Sequence, residues 1–212
     1  MIAAKICGLS DAKAVDAAVL GGGAYVGFVF FEPSPRNIAP EKAVALMHRV
    51  PAQIVKVGLF VDPDDELLRL VLHHANLDLL QLHGKETPSR AAAIRKKFNR
   101  PVMKALALAN DSDFETAKTY ASAVDRLLFD APPPLGATRP GGNANAFDWS
   151  LLAGKRLRRP WMLAGGLTVE NLEAAVRASG AAEVDVSSGV EDAPGVKSPD
   201  KIRAFLDLAR KL

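Results

Sequence analysis

The sequence predicts an α/β fold of the (β/α)8 barrel (TIM barrel) class, with a single domain over residues 1–212. Short apolar runs alternate with amphipathic helical stretches along the whole chain, and there are eight such runs. Strict alternation favours parallel strands joined by right-handed crossovers, and eight of them close naturally into a barrel. A length of 212 residues is near the short end for this fold, so most connections must be brief.

The eight apolar runs are the predicted strands. In chain order they cover residues 2–7, 25–31, 54–61, 77–82, 102–108, 126–130, 161–164 and 184–187. A helix is expected after each strand, as the spacing of Ala14, Val15, Ala18 and Val19 illustrates for the first one.

Helix starts are expected where a side chain can cap the first turn, or where the missing N–H of a proline costs nothing. The expected starts are Ser10, Pro40, Thr87–Pro88, Thr168 and Ser198–Pro199. The first helix should stop at the glycines of residues 21–23, and only a weak helix is expected over residues 114–120. The last helix should bury Ile202, Phe205, Leu206 and Ala209.

Composition excludes several classes of function. The net charge of +3 comes from scattered Lys and Arg, which does not favour nucleic-acid binding. No run of about 18 apolar residues occurs, so we expect no membrane span, and no signal peptide is recognised. The single cysteine excludes an internal disulfide and suits a reducing, cytoplasmic compartment. None of the four histidines has a second ligand at metal-binding spacing, so no metal is expected.

The active site of a barrel of this class lies where strands end and helices begin. This rule reduces the chain to a few candidate positions at the predicted strand exits. They are Cys7, Arg36, His83, Asp130, Gly165–Gly166 and residues 187–189.

Two glycine-rich exits follow the seventh and eighth predicted strands. Loops at these places commonly bind phosphate, because glycine lets an oxygen approach backbone N–H groups and a helix end adds partial positive charge. We therefore expect phosphate at Gly165, Gly166, Ser187, Ser188 and Gly189. The alternative is that each Gly-rich segment only makes a tight turn.

Cys7 and its strand carry a second expectation. A lone cysteine is more often a small buried apolar residue than a catalyst. Lys5 lies two residues before Cys7 and so faces the same side of the strand, into the barrel, where its charge must be paired. Strand 8 neighbours strand 1 in a closed barrel, so we predict a Lys5–Asp185 ion pair beneath Cys7. The alternative is that one of the two points outward.

Several motifs in order resemble the phosphoribosylanthranilate isomerase family of tryptophan biosynthesis, from residue 1 to the last helix. They are Lys-Ile-Cys-Gly-Leu at 5–9, Gly-Phe-Val-Phe and Ser-Pro-Arg within 27–36, Val-Gly-Leu-Phe-Val at 57–61, Gln-Leu-His-Gly at 81–84, Leu-Phe-Asp at 128–130, Gly-Gly before Phe-Asp-Trp at 147–149, Ala-Gly-Gly-Leu at 164–167 and Asp-Val-Ser-Ser-Gly-Val-Glu at 185–191. Any one of these motifs would be weak alone.

The resemblance implies an Amadori rearrangement of N-(5-phosphoribosyl)anthranilate, a small-molecule substrate, with no metal or organic cofactor. It assigns Asp130 as the general acid and Cys7 as the general base. It implies that Arg36 holds the anthranilate carboxylate, for which a guanidinium is suited. The alternative for Arg36 is a solvated surface residue. His83 and Asp185 are further expected substrate contacts, although His83 is equally explained as a satisfied histidine at a strand end.

The proposed roles require an ionised Cys7 and a protonated Asp130, the reverse of their ordinary states. We expect the strand-to-helix turn and nearby cations to favour the thiolate, and a desolvated barrel mouth to favour protonated Asp130.

The connection of residues 131–147 is long enough to be a functional loop, and we expect it to act as a lid hinged at Gly141–Gly142. Gly142 is expected to donate its N–H to the phosphate, and Arg139 to supply positive charge. Asn143-Ala144-Asn145 departs from the family's Gly-Thr-Gly pattern, which leaves the loop's side-chain contacts open.

Other readings are possible. Indole-glycerol-phosphate synthase and tryptophan synthase α are also phosphate-binding barrels, but they depend on carboxylates or lysine rather than a strand-1 cysteine. A catalytically silent phosphosugar-binding barrel would need neither Cys7 nor Asp130. We see no long exposed apolar stripe, so we expect a monomer.

Overall fold

The computed structural model describes residues 1–134, 136, 140–142 and 146–212. Eight parallel strands close into a barrel in the order β1 to β8, which confirms the predicted fold class. The strands are β1 (Ala3–Cys7), β2 (Tyr25–Phe30), β3 (Val55–Phe60), β4 (Leu79–Leu82), β5 (Val102–Ala107), β6 (Arg126–Asp130), β7 (Trp161–Leu163) and β8 (Glu183–Val186). Observed ends differ from the predicted ones by no more than two residues, because apolar side chains continue past the last ladder hydrogen bond.

Within the described ranges, seven α-helices surround the barrel. They are α1 (Ala12–Leu20), α2 (Pro40–Met47), α3 (Asp65–His74), α4 (Pro88–Phe98), α5 (Asp111–Thr119), α6 (Leu172–Ser179) and α7 (Pro199–Lys211). Helix α7 buries the predicted Ile202, Phe205, Leu206 and Ala209. Helix α5 is more definite than expected, since Asn110 and Asp113 form a reciprocal capping box at its start.

The expectation of a helix after every strand is wrong between β6 and β7. A short 3₁₀ helix, Trp149–Leu152, occupies that position among the described residues. Asp148 caps its first turn, and Gly154 follows with a φ of 66°, which ends the turn before a full α-helix can form.

Two expected caps are displaced. Asp11, not Ser10, caps α1 by accepting a hydrogen bond from the Ala14 N–H. Asn171, not Thr168, is the N-cap residue of α6. The Asn171 side chain instead binds the preceding loop, because its Oδ1 accepts from the Thr168 N–H and its Nδ2 donates to the Gly166 carbonyl.

The barrel interior is apolar in one layer and charged in another. The apolar cluster consists of Val57, Leu79, Met103, Ala105, Leu128, Met162 and Ala164. Lys5 and Gln81 are buried polar residues on the inward-facing side of their strands, with 0% of their surface exposed. Because charge in such a place must be paired, the interior polar groups indicate a built site rather than a simple core.

The chain makes an unpredicted antiparallel hairpin after β8, formed by β9 (Glu191–Ala193) and β10 (Val196–Lys197). A 3₁₀ turn, Ser188–Val190, joins β8 to this hairpin. In the part of the chain that the structure describes, no helix is both long and apolar enough to cross a membrane.

Candidate active site

A pocket lies at the carboxyl ends of the strands, with about 770 Å³ of open space counted out to solvent. Of the predicted site residues, Cys7, Arg36, His83, Asp130, Gly142, Gly165, Gly166, Asp185, Ser187 and Ser188 line it. Gly189 does not; a Cβ built there would lie 1.9 Å from the Leu167 carbonyl oxygen, so this glycine lets two loops pack closely. Its role in phosphate binding stays a prediction.

Cys7 ends β1 and is buried, with 3% of its surface exposed. It pairs in register with Gly27 of β2. A Cβ built at Gly27 would lie 3.0 Å from the Cys7 Sγ and 3.2 Å from the Lys5 Cε. The glycine therefore makes the space that both side chains need on the same side of β1.

The predicted ion pair beneath the cysteine is present. Lys5 Nζ lies 2.9 Å from Asp185 Oδ1, and the two residues are register partners on β1 and β8. Burial by itself would lower the pKa of Lys5, but Asp185 and Cys7 outweigh it and raise that pKa above its usual value. Lys5 is therefore held as an ammonium under the sulfur.

The expected thiolate at Cys7 is not what this environment favours. Burial raises the pKa of the Cys7 thiol above its ordinary value, and the Lys5 ammonium offsets only part of that rise. Lys197 helps in the same direction as Lys5, while Asp185 opposes both. Desolvation was underestimated in the sequence-based expectation because the depth of Cys7 depends on the closed barrel.

Asp130 ends β6, and both of its carboxylate oxygens have partners. Its Oδ1 accepts from the Ala131 N–H at 2.8 Å, and its Oδ2 lies 3.2 Å from His83 Nε2. Gln81 Nε2 lies 3.1 Å from His83 Nδ1. Since an amide nitrogen only donates, His83 Nδ1 accepts and the ring hydrogen lies on Nε2, pointing at Asp130. The protonated Asp130 expected from sequence stays a prediction.

Arg36 is buried rather than solvated, with 4% of its surface exposed. Its guanidinium is already bound by Glu191, through Nε to Oε1 at 2.7 Å and Nη2 to Oε2 at 2.8 Å. Nη2 also lies 3.4 Å from the Gly142 carbonyl oxygen. Glu191 therefore leaves Nη1 available, and the carboxylate-binding role of Arg36 stays a prediction.

Lys197 joins this pair to the end of β8. Its Nζ lies 2.7 Å from Glu191 Oε1, 2.8 Å from the Ser187 carbonyl oxygen and 3.2 Å from Ser187 Oγ. Ser187 Oγ in turn donates to the Cys7 carbonyl at 3.1 Å. The Ser187 hydroxyl is thus held between the ends of β1 and β8.

The two charged partners have shifted pKa values. Burial lowers the pKa of Lys197 despite the nearby Glu191 carboxylate. Arg36 and Lys197 outweigh burial at Glu191 and lower the pKa of that carboxyl group.

The exit of β7 has the geometry of an anion site. Gly165 and Gly166 have φ values of 86° and 63°, which residues with a Cβ adopt only with strain. Within the described part of the chain, neither of their N–H groups donates a hydrogen bond. Asn171 braces this turn from behind, as described above. Loops after the seventh strand of this fold class commonly bind phosphate, and the phosphate-binding role of Gly165 and Gly166 stays a prediction.

Gly141 and Gly142, in the connection after β6, lie against two sides of the pocket. A Cβ at Gly141 would lie 2.6 Å from Asp130 Oδ2 and 2.7 Å from His83 Nε2. At Gly142, whose φ is 69°, it would lie 2.6 Å from Arg36 Nη1. Arg139 and residues 143–145, for which we expected charge and open contacts, lie outside the described residues.

Four polar residues of the site were missed from sequence. Gln81 shares strand parity with His83, so the argument that paired Lys5 with Asp185 would have found it. Glu191 stood in a recognised motif but received no role. Lys197 and Asn171 gave no signal, because their positions depend on a hairpin and a loop that periodicity does not reveal. Among the described residues, no group of three His, Cys, Asp or Glu side chains is placed to hold a metal.

Fold and site together define a (β/α)8 barrel with one pocket at the carboxyl ends of its strands, lined by a thiol, a carboxyl group and the two glycines after β7. The model of the N-(5'-phosphoribosyl)anthranilate isomerase family matches residues 4–208. The chain belongs to this family and is therefore an isomerase.

Individual relatives agree with this assignment. The isomerase of Paramagnetospirillum magneticum is 58% identical over 206 residues, covering 97% of this chain and 96% of the relative. A crystal structure of phosphoribosyl anthranilate isomerase in complex with reduced 1-(o-carboxyphenylamino)-1-deoxyribulose 5-phosphate has a TM-score of 0.86 at 34% identity, with both chains fully covered at 100%. A structure of monomers of the dimeric Thermotoga maritima enzyme gives the same values, a TM-score of 0.86 and 34% identity at 100% coverage of both chains.

Proposed function

We propose that this protein converts N-(5'-phosphoribosyl)anthranilate to 1-(2-carboxyphenylamino)-1-deoxyribulose 5-phosphate, a step of tryptophan synthesis, by acid–base catalysis. The observation that carries the proposal is the placing of Cys7 and Asp130 on the wall of one pocket that also contains the amides of Gly165 and Gly166. A sugar phosphate held by those amides would lie between a proton donor and a proton acceptor.

In the proposed reaction Asp130 gives its proton to the furanose ring oxygen as the C1'–O bond breaks, leaving an open-chain iminium ion. Cys7, as thiolate, then takes the proton from C2', and the C2'–H electron pair forms the C1'=C2' bond of an enolamine. The enolamine tautomerises to the ketone. Asp130 has lost one proton and Cys7 has gained one, so no net proton is consumed by the enzyme.

The free enzyme favours the Cys7 thiol, because burial raises the pKa of that group. A thiol at Cys7 with a carboxylate at Asp130 is also the form of the pair reached at the end of the reaction, and it holds one proton, as the form that begins the reaction does. The two forms contain the same number of protons, so turnover restarts when one proton moves from sulfur to carboxylate through solvent. A bell-shaped pH–rate profile follows, and its apparent pKa values belong to the pair rather than to either residue.

The remaining residues bind the two ends of the substrate. Arg36 Nη1 faces the aryl carboxylate, and His83 orients the acid through its Nε2. The phosphate lies on the amides of Gly142, Gly165 and Gly166, with Ser188 beside them. Asp185 acts mainly through its ion pair with Lys5 beneath Cys7, rather than by direct contact with the substrate.

The test is the loss of substrate fluorescence with the wild type, Cys7→Ser and Asp130→Asn. Each variant should lose about 10²–10⁴-fold in kcat, as expected for removing one general acid or base. Both should still bind the reduced product analogue, since neither residue is needed to hold the phosphate. Unchanged rates in both variants contradict the mechanism, and binding without turnover by the wild type favours a silent phosphosugar-binding barrel.

We further propose that residues 1–212 act as one domain and as a monomer in the cytoplasm. Among the described residues, the large apolar side chains that are half-exposed or more are Met1, Leu20, Leu70 and Val196, of which Met1 precedes β1 and the others lie on α1, α3 and β10. Scattered apolar residues of this kind do not make an interface. Light scattering over a range of concentrations tests this, and a constant dimer mass would overturn it.

A further inference from the structure

Arg36 can attract a substrate carboxylate only if its positive charge is not cancelled. Glu191 binds it through two hydrogen bonds, so the Arg36–Glu191 pair alone has no net charge. Both side chains are buried, at 5% and 4% exposure, where solvent screens little. A neutral pair at the pocket wall would give an incoming anion hydrogen bonds but little electrostatic attraction.

The missing charge is supplied from the β9–β10 hairpin. Lys197 Nζ lies 2.7 Å from the same Glu191 oxygen that binds Arg36 Nε. Its ammonium also contacts two oxygens of Ser187, which gives three acceptors in all. A neutral amine has two N–H donors and an ammonium has three, so the three acceptors favour the charged form, against the burial that lowers the pKa of Lys197. Arg36, Glu191 and Lys197 then sum to one positive charge.

We propose that Lys197 is a positioning residue that neutralises Glu191, so that Arg36 presents a full positive charge to the aryl carboxylate. Lys197 does not itself line the pocket. Glu191 fixes the orientation of the Arg36 guanidinium and leaves Nη1 toward the pocket. Lys197 balances the negative charge of Glu191, so that the three side chains together keep one positive charge. The inference rests on the proposed carboxylate-binding role of Arg36.

The test compares the inhibition constants of two ligands: the reduced product analogue with its carboxyl group, and the same compound with a plain phenyl ring. In the wild type the carboxylated ligand should bind more tightly. Lys197→Met should reduce that preference by about tenfold, the scale of one charge-assisted contact. KM for the substrate should rise by a similar factor, while kcat changes little.

Three further variants make the test specific. Lys197→Arg should restore the preference. The double variant Lys197→Met/Glu191→Gln leaves Arg36 as the only charge of the three positions, so their net charge is again one. It should also recover the preference for the carboxylated ligand, although Lys197 is absent. Lys201→Met is the matched control, because Lys201 contacts the same hairpin through Asp192 and the Glu191 carbonyl but is 48% exposed. It should leave the preference unchanged.

The possible failures can be told apart. A preference for the carboxylated ligand that survives in Lys197→Met overturns the inference. An equal loss of affinity for both ligands that the double variant fails to recover also overturns it, because such a loss shows that Lys197 has only a structural role. If Arg36→Met keeps the preference, the proposed role of Arg36 fails, and the inference fails with it.

Discussion

Cys7 and Asp130, the two proposed catalytic residues, lie in environments of different kinds. Cys7 stands on a buried ion pair, with Lys5 and Asp185 beneath it on β1 and β8. Asp130 belongs to a chain of hydrogen bonds that runs through His83 to Gln81, from β6 to β4. The pKa of the Cys7 thiol is thus shifted by the charges of Lys5 and Asp185. The Asp130 side chain is oriented by its hydrogen bond with His83, which in turn is oriented by Gln81.

The two environments act on a proton in different ways. A field acts through distance and burial, so it shifts the thiol without contacting the substrate. A hydrogen-bond chain acts through the position of its hydrogens, so it changes when a ring tautomer or an amide changes. We therefore expect substitutions on the Cys7 side to affect stability strongly, and those on the Asp130 side to affect mainly the reaction.

The largest effect is expected for Lys5→Met. The substitution leaves Asp185 buried at 8% exposure without its cation, and breaking one partner of a buried pair costs about 3–5 kcal/mol of folding free energy. Urea denaturation measures this loss. The pKa of Cys7 should rise further as well, because Lys5 is the main group that lowers it.

A double variant shows whether the loss comes from the unpaired charge. Lys5→Met/Asp185→Leu removes both charges and should recover much of the lost stability, since apolar replacement of a buried pair is often neutral. The activity of the double variant should nevertheless be low, because the Lys5 charge that lowers the pKa of Cys7 is absent. A double variant as unstable as the single one shows that packing, not charge, was lost.

Most of the fold was predictable because periodicity and turn residues record it locally. Eight apolar runs gave eight strands, and the parity of Lys5 and Cys7 led to the ion pair with Asp185. The missing helix between β6 and β7 was not predictable from alternation alone, since a capped 3₁₀ turn at Trp149 ends before a helix forms.

The positions of the site residues were predictable, and their states were not. The strand-exit rule placed Cys7, Asp130 and Arg36 at one pocket. Whether Cys7 is a thiol depends on burial, and whether Arg36 is free depends on Glu191, which only the folded hairpin brings within reach. Properties that arise from long-range contacts are absent from local patterns.

A smaller effect follows from the raised pKa of Cys7. The folded protein keeps the thiol proton at a pH where the unfolded chain, with an ordinary value of about 8.5, has lost it. Stability therefore falls as pH rises above the unfolded value, by at most about 1.4 kcal/mol per pH unit from this group, until the native thiol titrates.

The measurement is the difference in unfolding free energy between the wild type and Cys7→Ser, taken at several pH values above neutrality. Subtraction removes the titration of groups that both proteins share. The unfolding free energy of the wild type minus that of Cys7→Ser should fall as pH rises. If this difference rises instead, or if thiolate absorbance is already present at neutral pH, Cys7 is not a thiol in the free enzyme.

The smallest effect is expected at Gln81, the far end of the hydrogen-bond chain. Gln81→Leu removes the donor to His83 Nδ1, so the ring no longer has a fixed tautomer. One neutral hydrogen bond is worth about 1 kcal/mol, so kcat should fall roughly fivefold with KM little changed. The exposed Gln53→Leu is the matched control and should have no effect.

Nitrogen NMR of the His83 ring provides a readout that a structural role would not produce. The wild type should show the hydrogen on Nε2, and Gln81→Leu should show a mixture of the two neutral tautomers. If the wild type carries its hydrogen on Nδ1, Gln81 presents its oxygen instead, which would also give that buried atom, Oε1, the partner that it lacks among the described residues. His83 Nε2 would then accept a hydrogen bond from the protonated Asp130 carboxyl group, which is the form that the proposed general acid needs.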